Sequence, residues 1–133
     1  MTVHGAGCAG SGGPLALAYD TLPWTGASFR STTTGLGPSS LAVALLGFTV
    51  PGLPLATMHP AGRPGCDLLA SADATLLMLP SGGRASVAFG MPSSTTFLGV
   101  VLRQQTVEIE VDPALQITAI NSSNGLSLTV GVY

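Results

Sequence analysis

His4 and His59 are the only imidazoles in this chain, and they limit what nucleophilic or acid–base chemistry it could carry. A serine or cysteine nucleophile needs a base beside it and a third group that orients the base. No serine stands in a Gly-x-Ser-x-Gly elbow, so a hydrolase centre would have to be assembled around His59 from a distant carboxylate and serine. Ser11-Gly12-Gly13 and Ser81-Gly82-Gly83 read as turns. Glycoside hydrolysis needs two opposed carboxylates, and Asp67 with Asp73 is one pair that six acids allow, but no spacing selects it. Glu108, Glu110 and Asp112 alternate with Val107, Ile109 and Val111, which predicts a strand with three carboxylates on a solvent-facing side. That spacing is too wide to wrap a calcium ion without a loop. With no Gly-x4-Gly-Lys phosphate loop and no Cys-x-x-Cys, the residues imply no cofactor and no metal, and the chain reads as a non-enzyme.

The elements that must position these residues are short. Ten prolines and eighteen glycines leave almost no window for helical periodicity. Strand-sized runs fall at 15–19, 27–33, 41–46, 67–70, 75–79, 85–89, 96–110, 115–121 and 126–133, with 41–46 and 68–79 open to a helical alternative. Asn124-Gly125 suits the two left-handed positions of a type I′ turn, and beyond it Leu126, Leu128, Val130 and Val132 alternate with polar or small residues. About nine such runs predict an all-β fold: one antiparallel two-sheet sandwich of jelly-roll type, spanning residues 1–133. Residues 1–13 form its Gly-rich N-terminal segment, flexible apart from an anchor at Cys8. Trp24, Phe29, Phe48, Phe89 and Phe97 are the aromatic candidates for its core.

Cys8 and Cys66 both sit among glycines and are expected to form a disulfide, the alternative being two separate thiols. A bridge points to an oxidising compartment. Met1 runs straight into Thr2, Val3 and His4 with no apolar signal core, so a secreted or cell-surface protein is expected to have had its export signal trimmed. No apolar run is long enough for a membrane span.

Gly7-Cys8-Ala9-Gly10-Ser11-Gly12-Gly13, Gly65-Cys66, Leu102-Arg103-Gln104-Gln105 and Ser123-Asn124-Gly125-Leu126 with Thr129-Val130-Gly131 together cover most of the chain. In these features the chain resembles a poorly characterised domain at the C-terminal ends of secreted proteins from planctomycete- and myxobacterium-like bacteria. The resemblance implies export, a β-rich fold and the disulfide, and it brings no catalytic residues.

Charge is the most unusual property. Charged residues are 8 % of the chain, against about 25 % in an ordinary domain, and lysine is absent. Four scattered arginines make no basic stripe, which argues against a nucleic-acid partner. A surface so poor in charge must expose apolar, Ser, Thr and Gly groups, and such surfaces are usually covered. Self-association would cover it, giving a homo-oligomer or polymer: a structural subunit of a filament, sheath or surface layer. Glycans could also mask it, with Asn121-Ser122-Ser123 as a sequon. The alternative function is a module that binds carbohydrate or a surface polymer by stacking sugars on Trp24 and Tyr19.

Overall fold

The computed structural model describes residues 2–131. In chain order its elements are β1 (Thr2–His4), β2 (Ala9–Gly10), β3 (Gly13–Pro14), β4 (Ala16–Tyr19), β5 (Ser28–Thr34), β6 (Ser40–Gly47), β7 (Leu53–Pro54), the one-turn helix α1 (Leu55–Met58), β8 (Asp67–Leu68), β9 (Ala74–Met78), β10 (Arg84–Gly90), β11 (Val101–Val111), β12 (Ile117–Ser122) and β13 (Gly125–Thr129). Every expected run contains a strand, and the stretches with a helical alternative carry β6, β8 and β9.

The fold is the expected all-β antiparallel class, with two principal sheets facing one another. The larger runs β1-β13-β11-β6-β9, with β12 also on β11; the smaller runs β10-β5-β4. The chain crosses between them from β5 to β6, from β9 to β10 and from β10 to β11.

Strand alternation gives β11 two faces. Its even-numbered residues face the smaller sheet, where Gln104 Nε2 donates to Ser31 Oγ at 2.7 Å and the Thr33 and Thr106 hydroxyls meet at 2.7 Å. This polar seam lies between two apolar clusters. One gathers Leu15, Leu36, Ala42, Ala44, Met78, Ala85 and Val87; the other gathers Leu17, Phe29, Met91, Leu126, Leu128 and Val130; Phe89 packs on both. Of the other aromatic core candidates, Trp24 is only partly buried, while Phe48 and Phe97 are exposed. Val132 lies outside the described residues.

The seam reverses the expectation for the acidic strand. Glu108 is fully buried and Glu110 nearly so, while Val107 and Ile109 lie on the outer face. Alternation fixes which residues share a face, but it does not say which face turns inward. Here the carboxylates turn in because the interior supplies donors for them.

Asn124-Gly125 is likewise not a hairpin turn. β12 and β13 pair one after the other along the same side of β11, so the chain runs on through Ser123 and Asn124, and neither Asn124 nor Gly125 has a positive φ. The Asn124 amide instead takes both backbone groups of Leu17: Oδ1 accepts from its N–H at 2.8 Å and Nδ2 donates to its carbonyl at 2.9 Å. Gly125 is required for a different reason, since a Cβ there would lie 2.3 Å from the His4 ring. The two left-handed positions fall at Gly82 and Gly83, between Ser81 and Arg84, whose backbones bond reciprocally.

The Cys8–Cys66 disulfide is present, with Cα atoms 5.4 Å apart. The Gly-rich N-terminal segment is a short β2–β3 hairpin, not a loose lead: Cys8 N–H donates to the Ser122 carbonyl, and Ser11 N–H donates to Glu110 Oε1.

Two measurements test this framework by urea denaturation. Thr106→Val alone strands the Thr33 hydroxyl and is expected to cost about 1–3 kcal/mol, whereas the Thr33→Val, Thr106→Val pair should recover most of that. Replacing both cysteines by serine opens a bridge with a sequence separation of 58. In the chain-entropy model this should cost about 4 kcal/mol.

Candidate functional site

The residues singled out for chemistry are spent on structure. Glu108 Oε2 accepts from the Gly37 N–H at 2.6 Å and Oε1 from Asn121 Nδ2 at 2.8 Å. Gly10 must lack a side chain, because a Cβ would come within 2.4 Å of Glu108. Burial pushes the Glu110 carboxyl up, but hydrogen bonds from Ser11, Asn121 and Arg63 outweigh it and hold the group below the ordinary glutamate value. Arg63 reaches it at 3.3 Å from a half-exposed position. Asn121 is fully buried with its amide nitrogen committed to Glu108, so the sequon is not presented to a glycosylating enzyme. Asp112 closes the β11–β12 hairpin, its Oδ1 accepting from the Ala114 and Gln116 N–H groups, with Leu115 at φ 60°.

The histidines are separated. His59 is exposed and its Nδ1 accepts from the Ala61 N–H. His4, against Gly125, is held below the usual histidine value by burial and by the nearby Arg103 guanidinium. Asp67 sits in β8 opposite Pro54, and its backbone carbonyl accepts from Gln105. Asp73 caps the Ser71 hydroxyl and the Phe48 N–H, which keep its carboxyl low.

What the fold assembles instead is an apolar surface. On the outer face of the larger sheet, register aligns Leu77 with Val43 and Val107, Leu41 with Ile109 and Ile120, and Val111 with Ile117. Over its β9–β12 half the outer face of this sheet is therefore apolar while the inner face carries the polar seam of β11, and an apolar face of that extent needs cover. The excursion from β7 to β8 supplies part of it. It is held by Gln105, whose Oε1 accepts from Leu69 N–H and whose Nε2 donates to the Asp67 carbonyl, and by the disulfide. Between Leu55 and Met58 of α1 and the sheet, a groove of about 360 Å³ stays open. Beyond the excursion, β9 ends the sheet, with no strand on its far side among the described residues. Leu76, Leu77 and Leu79 are 45 %, 61 % and 76 % exposed there.

Tyr19 and Trp24 come together in an open depression of about 400 Å³ at the β4 side of the smaller sheet. No family model, no curated protein and no solved structure matches this chain. Alternation alone puts Val107, Ile109 and Val111 on the core side, whereas they lie on the outer face; the apolar residues on both strand faces of 41–46 and 76–79 are the sequence signal for a sheet with two apolar faces there.

Because Glu110 titrates below its unfolded value, it stabilises the fold above the ordinary glutamate range, and that stability is lost as pH falls through the lowered value. Denaturation midpoints measured from neutral pH down to pH about 3 should therefore fall more steeply for the native chain than for Glu110→Gln.

Proposed function

We propose that this chain is an extracellular structural protein, a self-assembling subunit of a filament, sheath or surface layer, without catalysis. The observation that carries the reading is the open β9 edge, continuous with the apolar outer face of the larger sheet. Unpaired strand edges are templates for another strand, and monomeric proteins usually guard them with lysine, inward charge or a covering loop. The β9 sequence Ala-Thr-Leu-Leu-Met has no charge, and the chain has no lysine anywhere. Adding a strand there would complete backbone hydrogen bonds and remove Leu76, Leu77 and Leu79 from water, and each buried leucine contributes roughly 1.5–3 kcal/mol.

A second copy is the occupant that fits. With net charge −2 the copies repel one another little, and the same chain offers a short β1 edge at the opposite end of the sheet. A β9-to-β1 contact is heterologous, so it extends the sheet from copy to copy, into a ring if the rotation between copies closes and into a filament if it does not. Export, and kinship with the secreted β-domain that the sequence resembles, belong to this reading; the disulfide is compatible with both.

Light scattering on non-reduced protein across a concentration series should show large oligomers, and negative-stain microscopy should show ordered assemblies. Leu77→Asp, at an exposed position, should keep the circular dichroism of the native chain and shift the population to monomer. A strictly monomeric native chain at high concentration would remove the reading.

A further inference from the structure

We propose that the surface around Tyr19, Asp20, Trp24 and Arg30 binds an extended, neutral β-linked polysaccharide. The site lies on the smaller sheet and does not depend on the assembly reading. Two open depressions adjoin there, of about 410 and 400 Å³, and both are lined by Asp20. Each is within the size range of ligand sites, and together they offer room for more than one sugar ring.

The polar groups are available. Asp20 and Arg30 line the same depression without forming an ion pair; among the described residues the one salt bridge is Arg63–Glu110. Among the described residues the Arg30 guanidinium makes no hydrogen bond or ion pair. Asp20 commits one oxygen, Oδ2, to the Thr32 hydroxyl at 2.7 Å, which leaves Oδ1 as a free acceptor. A fork of N–H donors beside a carboxylate acceptor matches adjacent sugar hydroxyls, each of which both donates and accepts. The opposite charges cancel at longer range, so the site favours a neutral chain over an ionic one. Hydrogen bonds to these ionised groups are stronger than those between neutral partners.

The aromatic contribution comes from the adjoining depression. Tyr19 is 45 % exposed and Trp24 is partly exposed, and both line it beside Thr21. Aromatic rings with a polar tip serve surfaces that are apolar on one side and wet on the other, which is how a pyranose ring presents itself. Trp24 is fixed from behind: its backbone bridges to Gly131, and Thr25 N–H donates to the Gly131 carbonyl. The backbone N–H of Asp20 donates to the Arg30 carbonyl at 2.7 Å, which ties the two polar residues together.

Trp24 is the only tryptophan in the chain, so its emission reports on this site alone. Titration with cellohexaose and with chitohexaose should give a saturable change for at least one of them. Arg30→Ala and Asp20→Asn, with the fold checked by circular dichroism, should each weaken that binding by about tenfold. No saturable change with either hexaose, or an affinity unchanged in Arg30→Ala, would overturn the proposal.

Discussion

The structure depends on hydrogen-bond satisfaction along the inward face of β11. Gln104, Thr106, Glu108 and Glu110 all point into a sandwich whose apolar content is otherwise carried by aliphatic side chains and, among the described residues, a single fully buried aromatic, Phe29. Burying those groups unpaired would cost several times what a typical hydrogen bond returns. They are tolerable because Ser31 and Thr33 on the facing sheet, the Gly37 amide, the Ser11 amide and Asn121 are placed to meet most of them; among the described residues Gln104 Oε1 and Asn121 Oδ1 find no partner. A register error on either strand would leave several of these groups unpaired at once, so the seam fixes the alignment of the two sheets as well as joining them.

That constraint explains the Gly-rich N-terminus and the position of the disulfide. The carboxylates at the end of the seam need backbone donors close by, and only residues without a side chain can approach so near; Gly10 and Gly37 are both closed to a Cβ. Cys8 then ties this cap to the excursion that covers the outer face of the same sheet. The two coverings of β11, one over its polar side and one over its apolar side, are thus linked covalently.

Turning the polar residues inward leaves the apolar ones of β11 outside, beside those of β6 and β12. The excursion shields the centre of this face, and the surface that remains runs to the β9 edge. The low charge of the sequence and the open edge are therefore related: a chain that spends two of its six acids inside and carries no lysine has few means of guarding a sheet edge. On the other sheet, Arg30 of β5 and Arg84 and Ser86 of β10 lie outside, and there the surface is suited to hydrophilic ligands.

Much of the architecture could be read from the sequence. Period-2 patterning and frequent Gly and Pro located the strands, because both act over a few residues, and the glycines around Cys8 and Cys66 suggested the bridge. Four features could not be read this way, each for the same kind of reason. The inward turn of Glu108 depends on donors from Gly37 and Asn121; the role of Asn124 depends on Leu17, far away in the chain; the buried sequon depends on Glu108; and the meeting of Tyr19 with Trp24 and Arg30 depends on how β4 turns beside β5. The sequence by itself determined a chain low in charge, broken by Gly and Pro into strand-sized runs, with two cysteines suited to pairing. Tertiary structure decided which face of each strand is interior and which edge is left open, because alternation is symmetric between the two faces and only the partners across the sheet interface break that symmetry.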